Sequence, residues 1–454
     1  MDNQLVIDRL MQRARAAQEI IAAYPQKKID EIVRMFAKVI YDNAKLLARM
    51  AVNETGMGVY EDKIAKNMGK ARILWNDLKD KKSIGILEEN KETCITLLAK
   101  PMGVVGAVTP CTNPIVTPMC NAMFALKGGN TIIIAPHPRG KKCAARMAEL
   151  YYTELDKMGV PRDIFLVVEE PSIELTNLLM KNVDVAIATG GGGMVKAAYS
   201  SGKPSFGVGP GNVQGLIDTD ADIEKAVSNM ITSRIFDNGI ICSGTQTLIA
   251  PAAKYDEIIK EFKKQGAYYI DDQETVDKFR MALFPNGQID KDSVGRDVQT
   301  IAKMAGIEVP KNTRVIIIKP QTFGKNDFLS REKMCPVMTA YAYSTWEDAV
   351  EIACRNLMFE GAGHSVDIQS NNRAHIEYAG LKLPVSRILV NQICATMNGG
   401  SFMNSLAPTT TLGCGSWGNN SISENLSYYH LFNKSRIATV KPNWKQPDDD
   451  EIFG

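Results

Sequence analysis

Cys242 is set in Phe236-Asp237-Asn238-Gly239-Ile240-Ile241-Cys242-Ser243-Gly244, just before an apolar run. A thiolate near backbone N–H groups or a helix N-terminus is a nucleophile. The same frame of small residues also suits a buried structural cysteine. Asn113 lies in Thr109-Pro110-Cys111-Thr112-Asn113-Pro114. The proline holds it extended, and an amide held in that way can donate to a developing oxyanion; an ordinary turn asparagine reads alike. Thr189-Gly190-Gly191-Gly192-Gly193-Met194-Val195 puts four glycines between an apolar run and a helical one. Such a turn can cradle a phosphate. Val195 replaces the last glycine of the GxGxxG fingerprint, so a plain glycine-rich turn stays open. Pro136-His137-Pro138-Arg139-Gly140-Lys141-Lys142 follows another apolar run. No acid stands there to bind a ribose hydroxyl, and three bases follow. The stretch therefore admits a dinucleotide 2′-phosphate, or is simply a solvated helix start.

These residues need a scaffold. At roughly 150 residues per domain, 454 residues make two to three domains or one large α/β unit. Either buries a core that needs no disulfide or metal staple. Hydrophobic residues at 45% and charged residues at 23% exclude a largely disordered or fibrous chain. With 53 bases against 51 acids, no broad nucleic-acid or acidic-lipid surface is expected. No apolar run approaches the roughly 20 residues of a membrane span. The N-terminus, MDNQLVIDRLMQRARAAQ, is charged and helix-like, without the features of a secretory signal. Nine cysteines without a CxxC pair read as free thiols in a reducing cytoplasm. The four histidines, His137, His364, His375 and His430, lack zinc spacing, so no metal is expected.

Ile29, Ile32, Val33, Phe36, Val39, Ile40, Leu47 and Met50 recur at helical steps and predict one amphipathic helix ending near Gly56. A second helix is predicted over 60–79, and extended chain from 84. From Gly103 onward strands at 104–108, 131–135, 164–168 and 183–188 alternate with helices at 118–126, 141–157 and 172–181. That alternation predicts a parallel sheet with crossover helices. Its ligands would lie beyond the carboxyl ends of the strands. A second α/β block starts near Arg234, with strands at 247–249, 313–318, 337–343 and 386–391; the last two flank a helix at 346–356. The stretch 398–425, rich in Gly, Ser, Thr and Asn, predicts a long functional loop.

In this order the motifs resemble the aldehyde dehydrogenase superfamily, and within it the coenzyme A-acylating branch, over essentially the whole chain. The resemblance makes Cys242 the nucleophile and Asn113 the oxyanion donor. Thr189 and the glycines Gly190, Gly191, Gly192 and Gly193 match the loop over the cofactor pyrophosphate. Thr109, Pro110, His137, Pro138 and Arg139 fall on the cofactor side. Glu332, in Arg331-Glu332-Lys333-Met334-Cys335-Pro336-Val337, matches the glutamate that holds the nicotinamide ribose. Hydrolytic members carry a Glu in an E-L-G-G segment to activate water. Here the matching stretch, Ser205-Phe206-Gly207-Val208-Gly209-Pro210-Gly211-Asn212, holds no carboxylate. Without that base a Cys242 thioester should resist water and need a better nucleophile, which is what coenzyme A supplies in the acylating branch.

Glu360-Gly361-Ala362-Gly363-His364-Ser365 also resembles that branch, where the histidine is near the active site. His364 is either a proton acceptor or an orienting group. The pattern Gly56-Met57-Gly58-Val59-Tyr60-Glu61-Asp62-Lys63, with the segments 237–243 and 412–425, resembles CoA-acylating succinate-semialdehyde dehydrogenases. Acetaldehyde-, propionaldehyde- and sulfoacetaldehyde-specific relatives share much of it. Thr245 departs from the pattern, since relatives usually have Glu there. A carboxylate-bearing aldehyde needs a cation or a set of donors. Lys70, Ser243 and Arg387 are the candidates, with Lys66 one helical turn before Lys70; the two lysines read more readily as solvated surface residues.

The resemblance thus implies an α/β, aldehyde dehydrogenase-like fold. A parallel-sheet cofactor domain spans 1–232, with an extended oligomerisation segment at about 83–100. A catalytic α/β domain spans 233–425, and a C-terminal oligomerisation tail spans 426–454. It implies NADP or NAD as cofactor, coenzyme A as co-substrate, and a homodimer or dimer of dimers free in the cytoplasm. The iron-dependent alcohol dehydrogenase half of bifunctional relatives is not expected.

Overall fold

The structure, a computed structural model, describes residues 2–454. The first parallel sheet has five strands in the order Phe165–Val167, Thr131–Pro136, Val104–Thr109, Val185–Thr189, Ser205–Val208. Its central strands are buried at every position, because both faces are covered, and are mostly apolar. Their side chains alternate between two cores. Val105, Ala107, Ile132 and Ile134 face the core that includes helix Val116–Lys127. Val104, Val108, Ile133 and Ala135 face a second core with residues of helices Asn3–Ala22 and Ile173–Asn182. The strand order reverses direction between Val104–Thr109 and Val185–Thr189. A crevice opens at such a switch point, and it brings together the chain after Thr109 and the chain after Thr189.

The second sheet has seven parallel strands in the order Ala267–Ile270, Val315–Ile318, Val337–Tyr343, Thr245–Pro251, Val213–Ile217, Gly363–Gln369, Val385–Val390. The strand Val213–Ile217, which precedes the boundary read at 232, hydrogen-bonds within this second sheet. The two strands that flank helix Trp346–Phe359 in the sequence prediction are not neighbours. Gly363–Gln369, Val213–Ile217 and Thr245–Pro251 lie between them.

The long helix expected to end near Gly56 is two, Gln26–Asp42 and Ala44–Thr55. Asn43 breaks it: its side chain donates back to the Val39 carbonyl at 2.9 Å, competing with the backbone ladder. Gly56, at φ +68°, caps the second helix in the left-handed conformation that glycine adopts freely. Extended chain from Gly85 forms the strands Gly85–Asn90 and Ile95–Pro101. These pair antiparallel, with Phe432–Ala438 as the third strand. No helix of the described residues is long and apolar enough to cross a membrane.

Candidate active site

Helix Ile223–Ile235 ends against a tight segment in which Asp237 and Asn238 both have positive φ, 52° and 53°. The buried Arg234 steadies the turn by donating to the carbonyls of Gly239 and Thr245. Cys242 follows, immediately before strand Thr245–Pro251. It keeps part of its surface open. Burial pushes its thiol up to about 12, and Glu332 adds to the effect. The resting group is thus a thiol that loses its proton on the way to attack.

Two cavities meet at this sulfur. The smaller, about 400 Å³, is entered past helix Tyr60–Leu78 and the 395–412 segment. The larger, about 710 Å³, occupies the switch-point crevice. Asn113, Cys242 and Thr410 line both. Asn113 comes from the loop after Val104–Thr109, and its Oδ1 accepts from Lys66 Nζ at 2.6 Å. Thr410 has a buried hydroxyl without a hydrogen-bond partner. The sequence does not single it out, because it sits among the threonines of a loop whose fold places it here.

The larger cavity is lined by Thr109, Pro110, His137 and Pro138, by Thr189 with Gly190, Gly191 and Gly192, and by Glu332. Gly193 falls just outside, in the first turn of helix Gly192–Tyr199. Arg139 is also outside: its guanidinium donates to the Thr55 carbonyl at 2.8 Å. Lys141 pairs with Glu170 at 2.5 Å. The Glu54 carboxylate accepts from the N–H groups of Lys142 and Cys143 at 2.7 and 2.8 Å. Two of the three bases read from sequence as admitting a 2′-phosphate are therefore already engaged, and so is the start of helix Lys141–Lys157. Glu332 is buried; burial and the neighbouring Glu360 raise its carboxyl to about 8. Glu360 itself is held by Arg331 at 2.6 Å.

The 205–212 stretch passes between the sheets. A side chain at Gly207 would meet Val195 and the Tyr199 ring at 2.7 and 2.9 Å. At Gly211 a Cβ would lie 1.9 Å from the Cys242 carbonyl oxygen, so only glycine fits.

In the smaller cavity Ser243 donates to the Ala395 carbonyl at 3.0 Å. Lys70 is half-buried, and desolvation lowers its ammonium to about 8. It donates to the carbonyls of Gly399 and Thr409 at 2.7 and 3.3 Å, and no carboxylate of the described residues pairs with it. Lys66 is not a solvated lysine either. It bonds Asp237 at 2.5 Å besides Asn113. Asp237, which the sequence leaves unassigned, also accepts from Lys63 at 3.0 Å and from the Val59 N–H at 2.8 Å. Burial pushes Asp237 up, but Lys66 and Lys63 outweigh it and hold the carboxyl below its ordinary value.

Two sequence candidates do not line these cavities, although Arg387 is close enough to Cys242 for its charge to pull the thiol down. Arg387 lines neither cavity. It is buried and donates to the carbonyls of Gly413 and His364, both at 2.8 Å. His364 also lines neither; its Nδ1 meets Ser365 Oγ at 3.0 Å. Burial, with Arg387 nearby, lowers His364 to about 3, so the ring is neutral and a poor proton acceptor at neutral pH. Thr245 is buried and hydrogen-bonds Ser233 and Asp367 at 2.8 and 2.9 Å. A Glu at this position would place a second carboxyl beside Asp367.

The model of the aldehyde dehydrogenase family matches residues 2–403. The chain is 53% identical, over 100% of both chains, to a succinate-semialdehyde dehydrogenase (acetylating) of Clostridium kluyveri. Its fold superposes with a TM-score of 0.94 on the crystal structure of an acetylating aldehyde dehydrogenase from Geobacillus thermoglucosidasius, at 37% identity and 98% coverage of each chain. A propionaldehyde dehydrogenase of Rhodopseudomonas palustris, solved with bound CoA and an acylated cysteine, superposes with a TM-score of 0.86 at 27% identity, covering 96% of this chain and 97% of that one. The motif order, the two sheets and the cavities meeting at Cys242 agree with these matches, and the chain belongs to the aldehyde dehydrogenase family.

Proposed function

We propose that this chain interconverts succinate semialdehyde, coenzyme A and NAD(P)+ with succinyl-CoA and NAD(P)H. The observation that carries the reading is the meeting of two cavities at Cys242, with no carboxylate on the 205–212 loop to activate water. The smaller cavity takes the aldehyde. Lys70 is its half-buried cation, bonded to carbonyls and without a carboxylate partner, and the substrate's distal carboxylate is the counter-ion it lacks.

The larger cavity suits a dinucleotide on two counts. Added Cβ atoms at Gly190, Gly191 and Gly192 meet nothing within 4 Å, so their backbone is open to close approach. Glu332 Oε1 is buried without a partner, as a ribose-binding acceptor would be. The glycines would hold the phosphates and Glu332 the nicotinamide ribose. When bound, the nicotinamide supplies a hydride acceptor.

The chain's own residues do the rest. Cys242 Sγ loses its proton to cavity water and attacks the aldehyde carbon, giving a thiohemiacetal. Asn113 Nδ2 donates to the oxygen that becomes negative. Loss of hydride from the same carbon leaves a thioester on Cys242. The coenzyme A thiolate adds to its carbonyl, Asn113 again steadies the oxygen, and Cys242 leaves. Every step is reversible. Nine unpaired thiols support a reducing cytoplasm. The exposed three-stranded flap, with Ile86 and Ile437 half out in solvent, supports a homodimer or dimer of dimers.

The test is reduced-cofactor formation from succinate semialdehyde with NADP and with NAD, each with and without coenzyme A. Multiple turnover is expected only with coenzyme A, and Cys242→Ala is expected to lose several orders of magnitude. Equal turnover without coenzyme A would overturn the acylating reading. A clear preference for acetaldehyde, propionaldehyde or sulfoacetaldehyde would keep the reaction and replace the substrate.

A further inference from the structure

Lys66 reaches two partners that no local pattern connects. Its Nζ lies 2.6 Å from Asn113 Oδ1, 47 residues on, and 2.5 Å from Asp237 Oδ2, 171 residues on. Asp237 is anchored in turn. Its Oδ1 accepts from the Val59 N–H at 2.8 Å, and Lys63 Nζ lies 3.0 Å from its Oδ2. Its own N–H donates to Asp62 at 2.7 Å. The first turns of helix Tyr60–Leu78 thus grip the segment five residues before Cys242. The approach is close enough that a Cβ at Gly58 would fall 2.0 Å from Asp237 Oδ1.

This contact decides which way the Asn113 amide faces. An ammonium donates and has no acceptor. The end of the amide beside Lys66 must therefore be the oxygen, and the NH2 end points away. Among the described residues, no group accepts from that NH2. Asn113 also borders both cavities with Cys242. A cation on the amide oxygen draws electron density from the nitrogen, which makes its N–H a stronger donor.

We propose that Lys66, clamped by Asp237, is a positioning residue that fixes the Asn113 amide with its NH2 toward the atoms reacting at Cys242. Lys66 touches no reacting atom; it acts through Asn113. The proposal rests on the reading of Asn113 as oxyanion donor. It also gives the pattern Gly58 to Lys63 a purpose, since this stretch holds the carboxylate that holds the lysine.

The test is a double-mutant cycle on kcat and KM with propionaldehyde, saturating cofactor and saturating coenzyme A. An uncharged substrate removes any direct attraction between Lys66 and a substrate anion. Asn113→Ala is expected to lower kcat by ~10²–10³, the effect of one oxyanion donor. Lys66→Met is expected to lower kcat by about 10- to 100-fold, part of that donor's effect, with KM within about threefold. The double variant should be no slower than Asn113→Ala, because the lysine has nothing left to position. Lys66→Arg, which keeps a cationic donor, should restore most of kcat.

Multiplying losses in the double variant would overturn the proposal. So would Lys66→Met at wild-type kcat while Asn113→Ala is slow. If Asn113→Ala itself retains full kcat, the oxyanion reading falls instead, and the two failures are told apart. Thermal unfolding of each variant checks folding. If Lys66→Met does not fold, Lys66→Ala, which admits water at the cavity edge, enters the same cycle.

Discussion

Asp237→Asn keeps the shape of the side chain and removes its charge. The carboxylate is fully buried between Lys63, 3% exposed, and Lys66, 9% exposed. In the folded protein, burial and the adjacent Lys66 already lower Lys63 to about 8, with Asp237 opposing them. Without Asp237 the Lys63 amine should stay neutral throughout pH 6–8. The variant's lysine then has its folded pKa depressed further below its unfolded value than the wild type's. A group so depressed costs more stability as pH falls, because the unfolded chain binds the proton that the folded chain refuses. The added penalty is 1.36 kcal/mol for each pH unit below about 8, or ~2.7 kcal/mol at pH 6. Lost hydrogen bonds add ~1 kcal/mol at any pH. The total, about 3–4 kcal/mol at pH 6, lies in the range for breaking a buried pair. It should shrink to ~1 kcal/mol at pH 8 and level off above. Urea unfolding of both proteins at pH 6, 7, 8 and 9, under reductant, measures it. A penalty independent of pH, or one that grows with pH, would refute the clamp as an ionic device.

Two further outcomes follow from the same geometry. Burial holds the Cys242 thiol up to about 12. Its alkylation by iodoacetamide in the free enzyme, read by mass spectrometry of the modified peptide, should therefore rise about tenfold per pH unit from 7 to 9. A plateau below pH 8 would show a thiolate already stabilised at rest. Lys70→Met should raise KM for succinate semialdehyde by roughly 10- to 100-fold, the value of a charge-assisted hydrogen bond, and leave acetaldehyde nearly unaffected. Equal losses for both aldehydes would place Lys70 in the scaffold and not at the substrate.

Most of the first sheet is legible in sequence because its strands are short, largely apolar runs separated by helices of ordinary length. The second sheet hides three of its members, among them the four-residue strand Ala267–Ile270, too short to carry a pattern. Val213–Ile217 reads VQGLI, with Gln214 and Gly215 inside it. Gly363–Gln369 buries His364, Asp367 and Gln369, so its burial leaves no apolar signature. The same property misleads at the site. His364 and Arg387 have the chemistry of active-site residues, yet Arg387 spends its donors on carbonyls within the protein, and His364 is held through Nδ1 with its buried Nε2 unpartnered. Buried polar side chains are selected by partners far along the chain, and local spacing does not reveal those partners. Cys242, Asn113 and Glu332 are legible through their motifs. Asp237 is not, because its role depends on lysines more than 170 residues earlier.

The missing water-activating base is a matter of packing as well as composition. Gly207 is closed by Val195 and Tyr199, and Gly211 by the carbonyl of Cys242 itself. Only at Gly209 does a Cβ on one of the three loop glycines meet open space. A carboxylate could not simply be restored at Gly207 or Gly211, since the backbone has closed over the room it would need. The geometry also orders the two halves of the proposed reaction. Once the acyl group is on Cys242, its chain fills the smaller cavity, beside Lys70 and Ser243. The thiol of coenzyme A must then arrive through the larger cavity, which the nicotinamide occupies for the first half. One opening serves two occupants in turn, so the reduced cofactor has to withdraw from Cys242 before the thioester can be discharged. A thioester that water could discharge during that exchange would lose its acyl group. Keeping carboxylates off the 205–212 loop is what lets the intermediate outlast it.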